Sequence, residues 1–95
     1  MKPKFNLGIT IMTKRVSYLI EGNPKLYKEI AKCVAMHKSG NWGDLCEKDK
    51  QMNDYAVENG ERILSSYIIG ENKIIIWIIT EADRSYTTIL LPEEY

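Results

Sequence analysis

Residues 73 to 80 read KIIIWIIT, and both alternations of that run are apolar. A strand with one wet face alternates apolar and polar residues. A strand that is apolar on both sides belongs in a sheet with both faces covered. The apolar core of the run, IIIWII, is six residues long, against the roughly 20 that a membrane-crossing helix needs. RILSSYII lies just before it, and GEN between the two supplies a turn, so residues 62–80 read as a β-hairpin. EADRS is a second short connection, YTTILL a third strand, and Pro92 ends it.

Upstream the punctuation changes to that of helices. In NPKLYKEIAKCVAMHKSG, Asn23 stands at the cap, Pro24 at the first helical position and Gly40 at the stop. Leu26, Ile30, Cys33, Val34 and His37 fall on one face at helical spacing, so His37 closes the inward stripe. GDLCEKDKQMNDYAVENG reads as the next helix, with Asp44 and Glu47 as a capping-box pair and Gly60 at the end. Its inward residues are expected to be Leu45, Met52, Tyr55 and Ala56. FNLGITIMT is β-branched and loosely alternating, which predicts a strand over 5–12. Thr13 can cap a short helix through KRVSYLIE that ends at Gly22, with strand as the alternative there.

Residues 1–95 therefore form one α+β domain, in the order β-α-α-α-β-β-β. A mostly antiparallel four-stranded sheet carries two to three helices on one face. The two-sided apolar strand then leaves a second sheet face in need of cover, which predicts a protein partner and, in the simplest case, a homodimer.

Charge is balanced overall but not along the chain. Residues 1–38 carry eight Lys/Arg and two acids, residues 44–61 two lysines and six acids, and residues 62–95 three cations and five acids. This is the pattern of solvated helix faces; a basic patch for nucleic acid is the sharper alternative. Cys33 and Cys46, with a single histidine in the chain, match no zinc spacing and read as free thiols. No apolar leader follows Met1, so a cytoplasmic protein without a membrane anchor is expected. No glycine-rich phosphate loop or hydrolase signature is present, and no cofactor is expected.

Three groups carry the polar chemistry. His37 with Trp42 and Asp44 is the candidate catalytic group: a histidine base needs an acid to orient it, and Asp44 is near in sequence. The plainer reading is a histidine bonded at a helix end with Trp42 packed over the turn. Glu81 and Asp83 could bind Mg²⁺ through oxygen, with Arg84 on a phosphate. The plainer reading there is a hairpin turn held by Asp83 and Arg84. Finally PEEY, ending at Tyr95, is either a recognition tail or a last packed side chain.

From His37 onward the chain resembles a family of small, uncharacterised "plasmid-related" proteins encoded on bacterial plasmids and phages. The resemblance rests first on His37 and the turn residues Gly40, Trp42, Gly43 and Asp44. It continues through Glu47, Asp49 and Asn53 of the acidic helix ended by Gly60, then Arg62, Ser65 and Tyr67 of the following strand. Its most specific part is WIITEADRS and TTILLPEEY, which hold Trp77, Glu81, Asp83, Arg84, Thr87, Thr88, Pro92 and Tyr95. Asn41 stands where the family usually has an aspartate, which counts against a metal there. The first 36 residues share little with it.

The resemblance implies a setting, a mobile-element accessory protein in a bacterial cytoplasm, and brings no activity with it. Small size and the lack of a catalytic signature point to non-catalytic binding of a host, phage or plasmid partner, with Trp42, Glu81, Asp83, Arg84 and Tyr95 as binding candidates. Modulation of a defence system would fit that setting. The alternative is a small metal-dependent hydrolase or nucleotide-binding protein using Glu81, Asp83, Arg84 and His37.

Overall fold

The computed structural model describes residues 2–95. Strand β1 (Ile9–Met12) leads into three helices, α1 (Lys14–Gly22), α2 (Lys25–Lys38) and α3 (Glu47–Asn59). Strands β2 (Ile63–Ile69), β3 (Ile74–Thr80) and β4 (Tyr86–Leu90) follow, and a 3₁₀ turn at Pro92–Glu94 closes the chain. The expected α+β order is the observed one. The sheet order is β1-β4-β3-β2; β3 is antiparallel to both neighbours, and β1 runs parallel to β4.

Register assigns the two faces. Ile63, Ser65, Tyr67 and Ile69 of β2 lie opposite Thr80, Ile78, Ile76 and Ile74 of β3, and Thr87 and Ile89 of β4 continue that row. This is the helix-covered face. Val16 of α1 and Leu26, Ile30 and Cys33 of α2 join Tyr67, Ile69, Ile76, Ile78 and Ile89 in one core cluster. Each such aliphatic side chain contributes about 1.5–3 kcal/mol on full burial. At the far end of the sheet, Ala56 of α3 packs with Trp42 and Ile63 in a second cluster.

Several local expectations are corrected. The first strand begins at Ile9, because Gly8 at φ +66 turns the chain and lets its backbone lie against Ser85; Phe5 leaves the sheet and packs with Trp42 and Ala56. Thr13 does cap α1, its hydroxyl accepting from the Val16 N–H at 3.3 Å. The cap of α2 falls on Pro24 and not on Asn23: the helix starts at Lys25 without a side-chain cap, and Asn23 contributes only its carbonyl, which accepts from the Leu26 N–H at 3.0 Å. The Asp44–Glu47 capping box is absent: α3 starts at Glu47 with Cys46 at the cap. The Asp44 N–H instead donates to the Ser66 carbonyl at 2.7 Å, and the Ser66 N–H to the Trp42 carbonyl at 3.3 Å.

Residues 42–44 thus pair with the outer edge of β2. Asn53 continues that cover, donating to the Leu64 carbonyl at 2.7 Å and accepting from the Leu64 N–H at 3.3 Å. That is why the inner face of α3 carries a buried asparagine, while Met52 and Tyr55 are exposed. The helix meets a strand edge, whose outward N–H and C=O groups need polar partners.

The second face of β3 is only partly covered. Ile79 is buried, Trp77 half-buried and Ile75 exposed. The 3₁₀ turn folds back over it, and the Tyr95 ring stands edge-on to Trp77 at 5.6 Å. Glu94 fixes that turn by accepting from the Thr13 hydroxyl at 2.9 Å and the Leu91 N–H at 2.8 Å.

The close approach at 42–44 predicts a contrast between two glycines. Gly43 (φ +74) has the Ser66 carbonyl oxygen 2.1 Å from where a Cβ would stand, whereas Gly60 (φ +67) has open space there. Gly60→Ala should cost about 1 kcal/mol for the left-handed backbone alone, and Gly43→Ala at least about 2 kcal/mol, because the edge pairing must also open. Denaturant melts of the two variants measure the difference.

Candidate functional site

His37 is fully buried at the end of α2, and both ring nitrogens are bonded to hydroxyls. Nδ1 meets the Ser65 hydroxyl of β2, and Nε2 meets Thr80 Oγ1 of β3 at 2.8 Å. Thr80 Oγ1 lies 2.7 Å from Thr87 Oγ1 of β4, which is 2.7 Å from the Leu7 carbonyl oxygen. A carbonyl only accepts, and that fixes every proton in the chain. The Thr87 hydroxyl donates to Leu7, the Thr80 hydroxyl donates to Thr87, and Nε2–H donates to Thr80. Nδ1 therefore accepts from the Ser65 hydroxyl.

The imidazole is neutral, and burial, helped by the Arg84 charge, pushes its pKa down to about 3. Phe5 stands edge-on to it at 5.3 Å and Trp42 at 5.9 Å. A base must hold a lone pair toward a substrate proton. Here the one lone pair faces Ser65, which is itself fully buried. The arrangement ties α2 to three strands and to the N-terminal segment; none of the His37 hydrogen bonds goes to Asp44, Glu81 or Asp83.

Trp42 is 3% exposed, stacks on Phe5 at 6.1 Å, and donates its indole N–H to Asp54 at 2.9 Å. Arg84, at φ +61 in the β3–β4 connection, points its guanidinium at backbone. Nη1 donates to the carbonyls of Glu61 (2.6 Å), Glu81 (3.1 Å) and Ala82 (3.3 Å), and Nη2 to that of Ala56 (3.0 Å). Ala56 lies in the last turn of α3, whose negative dipole end favours a cation. The guanidinium also sits over the Phe5 ring at 5.5 Å. Arg84→Ala should cost about 2 kcal/mol, because several carbonyls lose a charged donor at once. Arg84→Lys should recover little of it, since an ammonium cannot fork to the same set. Thermal or chemical melts of both variants test this.

Asp83 finishes the same turn. It accepts from the Ser85 N–H at 3.0 Å, and its bonds with Ser85, side chain first, hold its carboxyl below the usual range. Glu81, Asp83, Ser85 and Tyr86 line a shallow surface depression. Among the described residues, no group of three or more His, Cys, Asp or Glu side chains is placed to hold a metal ion. The Cys33 thiol is pushed up to about 11 by burial and by the Glu29 charge, and so stays protonated and unreactive at neutral pH. Tyr95 lies on the opposite sheet face, where Arg62 bonds its hydroxyl and stands over its ring at 5.1 Å.

The structure thus brings His37, Trp42 and Arg84 together around Phe5, and leaves Tyr95 elsewhere. Sequence reasoning missed Ser65, Thr80 and Thr87 as the partners of His37. The signal for them is a small hydroxyl residue on the inward alternation of each of three otherwise apolar strands. It also missed Asn53 as the cover of the β2 edge.

What these elements define is a single α+β domain whose mixed sheet is covered by helices on one face and partly open on the other. No protein-family model, curated protein or solved structure matches the chain.

Proposed function

We propose that this protein is a small non-catalytic binding protein that engages a protein partner through the open face of its sheet. The observation that carries the reading is the apolar surface there. Ile68 is 50% exposed and Ile75, directly opposite it on β3, 47%. At the diagonal corner Ile9 is 71%, Ile11 46% and Tyr86 43% exposed. Between the corners lie half-buried Trp77 and, over it, Tyr95 with Arg62. Aromatic residues and arginine flanked by aliphatics are the composition of interface centres. Exposed large apolar side chains grouped on one sheet face in this way mark an interaction site. The groups that looked catalytic are used in the fold: His37 and Trp42 are buried, and Arg84 is spent on carbonyls.

The resemblance described above supplies the setting: an accessory protein of a bacterial plasmid or phage, working in the cytoplasm on a host or mobile-element partner, with defence systems among the partners it admits. Among the described residues no helix is long and apolar enough to cross a membrane.

The test is a pull-down from nuclease-treated bacterial lysate with the wild-type protein and with Ile75→Lys. Ile75 is exposed and belongs to neither core cluster, so the variant should fold. A stoichiometric partner held by the wild type and lost by Ile75→Lys supports the reading. No partner, or equal capture by both, contradicts it.

A further inference from the structure

The two edges of the sheet are treated differently. The outer edge of β2 is covered by residues 42–44, by Asn53, and by the Glu29 carboxylate, which accepts from the Gly70 N–H at 3.1 Å. The outer edge of β1 has no such cover. The Ile9 N–H donates to the Ser85 carbonyl and the Thr13 N–H to that of Ile89, both at 3.1 Å, so odd-numbered residues face β4. Backbone direction alternates along a strand, so the N–H and C=O of Thr10 and Met12 point outward. No described residue pairs with them.

All four residues of β1 are exposed, and residues 7–12, LGITIM, contain no charge and no proline. At four residues β1 is short, itself one protection of an edge strand, but it carries no lysine, proline, bulge or covering loop, and a bare β-branched edge is a template for another strand.

We propose that the β1 edge is a self-association site, pairing antiparallel with β1 of a second copy to join two sheets into one of eight strands. Outward backbone groups specify an extended strand as the occupant. The geometry then favours this chain's own strand. A two-fold axis at Thr10 sets Thr10 against Thr10 of the second copy, exchanging both backbone hydrogen bonds. The flanking pairs set Ile9 against Ile11 of the second copy in non-hydrogen-bonded positions, where side chains approach most closely. Both isoleucines lie on the open face, so each covers the other. A threonine pair and β-branched pairs across a ladder are favourable. Charge does not oppose the register: β1 and the two residues before it carry no charged side chain, so no like charges meet across the ladder. The contact is isologous and closes after two copies.

This corner of the open face is diagonal to Ile68 and Ile75, so the two surfaces are separable by mutation. Sedimentation across the micromolar range, with amide hydrogen exchange, tests the proposal on the full chain. The wild type should shift from 11.0 kDa toward twice that mass as concentration rises. The Thr10 and Met12 amides should gain protection along with it. Two variants should stay monomeric at every concentration: Ile9→Lys, which charges an exposed side chain, and Thr10→Pro, which removes an N–H that the monomer does not use. Circular dichroism matching the wild type shows that each is folded, and an unfolded Thr10→Pro leaves the decision to Ile9→Lys. A wild-type mass fixed at 11.0 kDa overturns the proposal, as does a dimer that survives Ile9→Lys or leaves the Thr10 and Met12 amides exchanging freely. A dimer lost in Ile75→Lys and kept in Ile9→Lys also overturns it, and moves self-association to the partner-binding corner.

Discussion

Trp42→Ala should lower stability by about 3–5 kcal/mol, the range for removing a large aromatic side chain from a packed interior. The loss has three sources. The indole leaves a cavity beside Ala56 and Ile63, with Phe5 losing its stacking partner. Asp54 loses the indole N–H that it accepts at 2.9 Å. The edge contact with the His37 ring at 5.9 Å also goes. For a domain of this size, where total stability is about 5–15 kcal/mol, that is a large share. Trp42→Phe keeps much of the volume and should recover more than half of the loss. Equilibrium denaturation of the three proteins reads this directly, and a Trp42→Ala protein as stable as the wild type would show that the tryptophan is not a core residue.

Acid should destabilise the protein well above the pH at which carboxylates titrate. In the unfolded chain His37 takes up a proton near pH 6.5, while in the folded protein it resists protonation down to about pH 3. Above pH 6.5 both states are neutral and the histidine adds no pH dependence. Between those values the unfolded state binds the extra proton, so stability falls as pH falls, by about 1.4 kcal/mol per pH unit. By pH 5 the loss should reach about 2 kcal/mol. Asp83, held below the usual carboxylate range, contributes only at lower pH. His37→Gln should be less stable than the wild type at pH 7 by about 2 kcal/mol, because one of two buried hydroxyls loses its partner. Its stability should then be nearly flat between pH 6.5 and 4.5. Denaturant melts at half-unit pH steps measure both slopes.

The parts of the fold that sequence reasoning reached are those set by neighbours in the chain. GEN and EADRS mark the two turns because they interrupt runs of β-branched residues, and β2, β3 and β4 fall within a residue or so of their expected limits. Thr13 and Gly60 punctuate helices through local backbone geometry, and both act as expected. The failures depend on partners distant in sequence. Asp44 looks like a helix cap, but β2 lies alongside and takes its N–H. The inward face of α3 seemed to belong to Met52 and Tyr55 by apolarity; a strand edge selects Asn53 instead, because hydrogen-bonding need outweighs apolar area there. The parallel pairing of β1 with β4 spans almost the whole chain, and no local pattern announces it.

The candidate site divides the same way. His37 was legible as the end of the buried stripe of α2. Its partners were not, because Ser65 and Thr80 stand 28 and 43 residues away and only sheet register aligns them. Arg84 looked available for a phosphate because nothing in EADRS says that the last turn of α3 arrives beside it.

The claim on which the non-catalytic reading most depends is that the only histidine is a neutral, single-tautomer linker. Nitrogen-15 and proton NMR of the His37 ring, followed from pH 7.5 to 4.5, tests it most directly. The account predicts a proton on Nε2 and a bare Nδ1 throughout, slow exchange of the Nε2 proton with solvent, and no titration while the protein stays folded. A ring that titrates near pH 6.5, or exchanges its proton freely with water, would contradict it and return His37 to the list of working acids and bases.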